Sequence, residues 1–303
     1  MRLASYFPND PILELFTKYS KHEFIENGDD KCDAILCMSV TQFRRIPRDT
    51  GLPLIVHCWD IATNWRSWCR NESDYAKNVH RDSDIANQLH LLAEADLVIA
   101  CSDHTGSVLH TMGIKSTTLH NFYYGEEIDK VLDGYEVKKK NRIIQVSRYA
   151  LNKRFHVTLK MWTKIQDKYP DWELVFVGPY GDCYDELKGT CVPRVEMHLD
   201  MDRTKLIKMI ADSNILVAPS LNEGYGLTPL EARHMGVDTV CSDEPWTHEF
   251  GYANRVFESD NLDAYVQAIE DTIARPANFS EKSSEMTPES YAKRFDALIK
   301  EIK

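Results

Sequence analysis

The sequence predicts an α/β fold in two domains of similar size, on three observations. Short apolar runs alternate with longer amphipathic stretches along the 303 residues, the pattern of βα units around a mainly parallel sheet. A chain of this length suits two domains of about 150 residues, each large enough for its own core. Finally, the run Ile215–Ala218 reads as a buried strand that ends at Pro219 and passes through two glycines, Gly224 and Gly226, into a helix.

In chain order, apolar runs predict strands near Leu3–Phe7, Glu23–Glu26, Ala34–Met38, Leu54–Cys58, Leu97–Cys101 and Thr117–His120. Helices are expected between them over Pro11–Tyr19, inside Trp65–Ala93, and over Asp103–Met112, where Gly113 supplies the stop. The second half predicts strands near Arg142–Val146, Glu173–Val177, Val195–Leu199, Ile215–Ala218 and Thr239–Cys241. Its helices are His156–Lys168, Arg203–Ala211 and Pro229–Met235, the last stopped by Gly236. Residues 125–141 are polar and read as the connection between domains, and their basic run Lys138–Arg142 reads as solvated linker. Thr287-Pro288-Glu289 caps a terminal helix running to about Ile302. The expected domains are 1–136, 137–285 and the helical segment 286–303.

The formal charge of −11 argues against a broad electrostatic grip on nucleic acid or anionic lipid. Eight cysteines are scattered with no Cys-x-x-Cys pair and no His-Cys cluster at zinc spacing, so they read as reduced thiols in a cytosolic protein. No signal-peptide pattern is present, and no apolar run approaches the roughly 20 residues that span a bilayer.

The chemistry concentrates in Pro219-Ser-Leu-Asn-Glu-Gly-Tyr-Gly-Leu-Thr-Pro-Leu-Glu-Ala232. Thr228 as N-cap and Pro229 at the first helical position would open the helix. A glycine-bearing strand-to-helix turn aims backbone N–H groups from the positive end of a helix, which suits a phosphate. Glu223 and Glu231 bracket the turn with seven residues between them, where each can accept hydrogen bonds from hydroxyls. Phosphate and hydroxyls together describe a nucleotide sugar.

This stretch resembles the signature of retaining glycosyltransferases of family 4. The resemblance implies the GT-B fold, two Rossmann-like domains facing across a cleft, with a C-terminal helix crossing back to the first. It implies that Glu223 faces the donor sugar and Glu231 holds the ribose hydroxyls, with Gly224, Tyr225, Gly226, Leu227 and Thr228 forming the turn. Arg148 ends a strand and Lys153 follows five residues later, the family's spacing for the pair that binds the donor diphosphate. Such cations stabilise a departing nucleoside diphosphate. The family usually has glycine after the lysine. Arg154 stands there instead, so a different local turn is expected, with Arg154 competing for the phosphates. Gly178 resembles a turn beside the nucleotide base, or simply closes a strand. The segment Val195–Asp200 lacks the family's usual glycine at the base loop, and the base cannot be read from it.

In the first domain, His57 ends a predicted strand at the edge where open α/β sheets keep ligands. Related enzymes have a histidine there, near donor sugar and acceptor. Asp60 is positioned to orient it or to accept from an acceptor hydroxyl. Where family members carry a Gly-Gly loop, this chain reads Tyr6–Pro11, and Asn9 is the candidate to supply the missing phosphate contact. The resemblance covers nearly all of the second domain and the first only loosely. It implies a metal-independent, retaining hexosyl- or pentosyltransferase that moves a sugar from a nucleoside diphosphate sugar to a hydroxyl on a glycan, lipid or small molecule. No cofactor beyond this co-substrate is expected. Two alternatives stand beside it: a phage-like enzyme glycosylating modified DNA, if Arg44, Arg45, Arg48 and Arg66 line one groove, or a catalytically weak nucleotide-sugar-binding subunit.

Overall fold

The computed structural model describes residues 1–5, 16–26, 31–39, 46–47, 50–59, 61, 65–249, 251, 253–277 and 286–302. The chain divides into two compact units, one formed by 1–123 with 284–303 and the other by 124–283.

The first unit holds a six-stranded sheet of β1 (Arg2–Ser5), β2 (Glu23–Glu26), β3 (Ala34–Cys37), β4 (Leu54–Cys58), β5 (Leu97–Ala100) and β6 (Thr117–Thr118). Their order is β2-β1-β3-β4-β5-β6, with every pairing parallel. Every residue of β3 is buried, because a parallel strand covered on both faces reads as continuous hydrophobic sequence. The terminal helix Pro288–Leu298 belongs to this unit. Thr287 caps it by accepting from the Ser290 N–H at 3.2 Å. Tyr291, Ala292, Phe295 and Asp296 form its buried face, and the Phe295 ring lies 4.3 Å from that of Phe16. Asp296 tolerates burial because Ser20 Oγ donates to it at 2.5 Å and the Lys21 N–H at 2.9 Å.

The second unit carries β7 (Lys140–Val146), β8 (Glu173–Gly178), β9 (Val195–Leu199), β10 (Ser213–Ala218), β11 (Asp238–Ser242) and β12 (Arg255–Phe257). Here the order is β12-β11-β10-β7-β8-β9, again all parallel. The chain proceeds outward through β8 and β9, then returns to the other side of β7. That reversal makes a topological switch point between β7 and β10, the place where open α/β sheets bind ligands beyond their strand ends.

Several expectations give way. Residues 125–141 are not a plain linker. Gly125–Leu132 is a helix with Ile128 buried, and its Asp129 meets His234 at 2.9 Å. Tyr135 donates to Asp212 at 2.8 Å. These contacts draw the segment into the second unit, which begins at Tyr124 rather than at 137. The basic run is structured too: Lys139 Nζ donates to the Ser213 carbonyl at 2.9 Å, Lys140 opens β7, and Arg142 pairs with Glu173 at 2.6 Å. Beyond Ser242 the structure adds β12 and a helix, Leu262–Ala274, which the sequence reading left unassigned. Asn261 caps that helix, and Tyr265, Ala268, Ile269 and Thr272 form its buried face. The expected helix Pro11–Tyr19 begins outside the described residues, as does the segment 6–11. Among the described residues, no helix is long and apolar enough to cross a membrane.

Candidate functional site

Beyond the C-terminal end of β7, the loop 147–150 lies backbone against backbone on the loop after β8. The Ser147 N–H donates to the Val177 carbonyl at 3.0 Å and the Tyr149 N–H to that of Pro179 at 3.1 Å. A Cβ on Gly178 would stand 1.8 Å from the Ser147 carbonyl oxygen, and one on Gly181 would stand 2.2 Å from that of Tyr149. Glycine at both positions is therefore a packing requirement. The Tyr149 hydroxyl locks the arrangement, donating toward the carbonyls of Phe176 and His198 at 3.0 and 3.1 Å, and burial raises its pKa. Arg148 rides on this fixed loop with its side chain exposed. Gly178→Ala should move the loop and destabilise the protein by roughly 1–3 kcal/mol, the usual cost of overpacking. Chemical denaturation with an unchanged midpoint would refute that reading.

A short 3-10 segment, Leu151–Lys153, follows. Arg154 then takes φ 55°, ψ 37°, the left-handed conformation that glycine adopts freely and other residues adopt at a cost of about 1–2 kcal/mol. The departure from the family's glycine thus leaves a glycine-like turn. Nor does Arg154 compete for the lysine's ligand. Its guanidinium donates to the Ser259 carbonyl and meets Asp260 at 2.9 Å, and the residue is 8% exposed. Gln145 fixes the lysine from below by donating to the Lys153 carbonyl at 2.6 Å.

The loop after β10 is tied to the same segment. The Leu221 N–H donates to the Asn152 carbonyl at 3.0 Å, and Asn152 Nδ2 reaches the Asn222 carbonyl at 3.4 Å. Ser242 Oγ and Trp246 Nε1 donate to the Ser220 carbonyl at 2.7 and 3.2 Å. With both loops held, Lys153 Nζ and Glu223 Oε1 meet at 2.6 Å, across the switch point. The helix begins two residues earlier than the sequence suggests. It spans Leu227–His234, with Gly226 at φ 44° immediately before it. Thr228 is therefore inside the first turn rather than its cap, and Pro229 follows in the same turn, where a missing N–H breaks no helical bond. Gly224 is half-buried, Tyr225 is buried and Leu227 exposed.

Glu231 is 8% exposed, and both its oxygens are engaged by one side chain. Arg203 donates from Nη1 to Oε2 at 3.0 Å and from Nη2 to Oε1 at 2.5 Å, while its Nε reaches Glu127 at 3.2 Å. Burial opposes the guanidinium charge, but the bonds and charges of Glu231 and Glu127 outweigh it and raise the Arg203 pKa. Sequence reasoning missed Arg203. Its one local signal was its place at the start of a helix capped by Asp202.

The first unit holds the remaining candidates. His57 is fully buried in β4, its Nε2 hydrogen-bonded to the Tyr291 hydroxyl and its ring stacked on Trp59 at 4.4 Å. Burial pushes its pKa down to about 3. The histidine is therefore neutral at physiological pH. Asp60 and Asn9 lie outside the described residues, as do Arg44, Arg45 and Arg48. Arg66 pairs with Asp82 at 2.5 Å. In the unfolded chain His57 titrates near 6.5, so between about pH 6.5 and 3 the unfolded state binds a proton that the folded state refuses. Stability from this group is full above pH 6.5 and falls as pH drops, by up to about 1.4 kcal/mol per pH unit. Denaturant titrations at pH 7.5 and 5 should show a shallower pH dependence for His57→Asn than for the wild type. Equal slopes would contradict the buried, neutral histidine.

Comparison with known proteins bears on the same region. Residues 130–293 match the family described as Glycosyl transferases group 1. The lipopolysaccharide core biosynthesis mannosyltransferase LpcC of Rhizobium leguminosarum bv. viciae is 27% identical over 204 residues, 62% of this chain and 57% of that protein. The chain thus spans little more than half the length of that relative. Among solved structures, HepE of Anabaena in complex with UDP aligns with a TM-score of 0.62 at 15% identity, covering 98% of this chain and 94% of the other. A trehalose-6-phosphate synthase, studied for glycosyl transfer with retention, aligns at 0.67 and 14% identity over 91% and 75%. At such identities these likenesses establish fold, and two six-stranded parallel sheets are what they share with the GT-B architecture. The family match covers more than half of the 303 residues and contains the Lys153–Glu223 pair, the glycine turn and the clamped Glu231; the chain belongs to the group 1 glycosyl transferases, with the GT-B fold.

Proposed function

We propose that this protein transfers a sugar from a nucleoside diphosphate sugar to a hydroxyl acceptor, with retention of configuration, as a family 4 type enzyme. The observation that carries the reading is the 2.6 Å approach of Lys153 to Glu223 at the switch point of the second sheet. A cation for the diphosphate and a carboxylate for sugar hydroxyls stand side by side there, next to the N-terminal turn of the helix Leu227–His234. Arg148, exposed on the rigid loop after β7, supplies the second cation. Glu231 receives the ribose hydroxyls.

As the glycosidic bond to phosphate breaks, negative charge grows on the departing diphosphate. Lys153, Arg148 and the helix N–H groups supply the positive charge that stabilises it, from positions held by the fold. Both motif carboxylates are engaged by cationic side chains, Lys153 and Arg203. That donor set suits neutralisation by the protein rather than by a hard metal cation, which seeks a cluster of oxygens. As the family resemblance implies, the acceptor approaches on the face the diphosphate leaves, and the leaving phosphate takes its proton. The acceptor class remains a glycan, lipid or small-molecule hydroxyl. The eight cysteines, six of them buried, suit a reducing compartment.

A panel of nucleoside diphosphate hexoses, including mannose and glucose donors, tests the reading by thermal shift, because a tight donor stabilises the fold by mass action. The product's anomeric configuration, read by NMR, tests retention. No stabilisation by any nucleotide sugar, or an inverted product, would reject the reading in whole or in its stereochemistry.

A further inference from the structure

We propose that Arg203 is a positioning residue: by clamping both oxygens of Glu231, it makes nucleotide binding depend on the ribose hydroxyls. The inference rests on the assignment of Glu231 to the ribose and goes one step further, to what sets that carboxylate's orientation.

Four observations support it. Glu231 is 8% exposed, so its charge needs a fixed partner inside the protein. Arg203 meets it fork to fork, at 3.0 and 2.5 Å, the arrangement that fixes the plane of a carboxylate as well as its charge. Each carboxylate oxygen has two acceptor sites, so the guanidinium occupies one on each and leaves one on each. Two remaining acceptors in a fixed plane match two adjacent hydroxyls. Arg203 is itself held through its Nε by Glu127 at 3.2 Å, on a helix pinned by the Asp129–His234 contact at 2.9 Å. Without this support Glu231 would have to order its own side-chain torsions on binding, at a cost in affinity.

The test uses the full chain and calorimetry. The probes are the ribonucleoside diphosphate that binds best among those of uridine, guanosine and adenosine, and its 2′,3′-dideoxy counterpart. The wild type should prefer the ribonucleotide by about tenfold or more, as expected for hydrogen bonds to a charged group. Arg203→Ala should bring the preference below about threefold through weaker ribonucleotide binding, leaving the dideoxy form within about twofold of wild type. Arg203→Lys, which keeps the charge without the fork, should fall between, and serves if the alanine variant does not fold. Equal weakening of both nucleotides in the two variants, or an unchanged preference, overturns the proposal. Glu231→Ala separates it from the reading beneath: if that variant keeps the wild-type preference, the ribose assignment itself is wrong. If Glu231→Ala abolishes the preference and the Arg203 variants do not, only the role of Arg203 fails.

Discussion

Lys153→Ala lowers sugar-transfer turnover by roughly two to three orders of magnitude, about 2.7–4 kcal/mol of barrier, the effect of removing a charge-stabilising donor from a preorganised site. The Lys153 side chain is only 17% exposed. Its backbone is held by Gln145 and followed by the left-handed turn at Arg154. Such a cation is worth more to a developing diphosphate anion than a mobile surface lysine, because its orientation is set before the reaction. The loss should appear mainly in kcat, since the charge it stabilises is larger in the transition state than in the bound donor. Wild-type turnover should survive EDTA, because the proposed charge stabilisation comes from side chains. A Lys153→Ala enzyme within about threefold of wild type, or activity abolished by chelation and restored by Mg²⁺ or Mn²⁺, would contradict this account of the leaving group.

Glu223→Ala reduces transfer by about a hundredfold while leaving nucleoside diphosphate binding intact or slightly tighter, because lost alignment of the anomeric carbon raises the barrier even where binding persists. The sign of the binding change follows from the 2.6 Å ion pair. A nucleoside diphosphate has no sugar for Glu223 to hold, and it must share Lys153 with that carboxylate. Removing the carboxylate frees the ammonium for phosphate. Glu223→Gln should fall between in turnover, keeping one acceptor oxygen and losing the charge. Glu231→Ala behaves in the opposite way, weakening nucleoside diphosphate by roughly 1.5–3 kcal/mol for lost charge-assisted hydrogen bonds. Calorimetry and a turnover assay on each variant decide the matter. If Glu223→Ala weakens nucleoside diphosphate as much as Glu231→Ala does, the division between sugar and ribose is wrong.

Much of the frame was legible before any coordinates. The central strands are continuous apolar runs because both faces of a parallel sheet are covered, so Ala34–Cys37, Leu54–Cys58 and Ile215–Ala218 announce themselves. Gly113 and Gly236 sit just past their helices at φ 76° and 67°, the left-handed stop that a side chain resists. Less visible was the helix Gly125–Leu132: Ile128, Val131 and Leu132 follow the i, i+3, i+4 pattern, but within eight residues of a polar stretch and with no side-chain N-cap to mark the start. Arg255–Phe257 is a three-residue edge strand with one buried residue, too short to stand out from a loop. The start of the helix at Leu227 was displaced because Thr-Pro is a strong local opening signal, while Gly226 took the left-handed position just before it.

The sequence by itself determined the two parallel α/β units and the glycine turn after β10, and it singled out Lys153, Glu223 and Glu231 as candidates there. These follow from interactions within a few residues, where periodicity and turn chemistry act. Tertiary structure decided what those residues do to one another. It paired Lys153 with Glu223 across two loops, clamped Glu231 with Arg203, turned Arg154 toward Asp260 and sealed His57 behind Tyr291. Each of those outcomes joins side chains far apart in the chain. Strand order and packing set such distances, and with them which charges are neutralised and which remain available to a ligand.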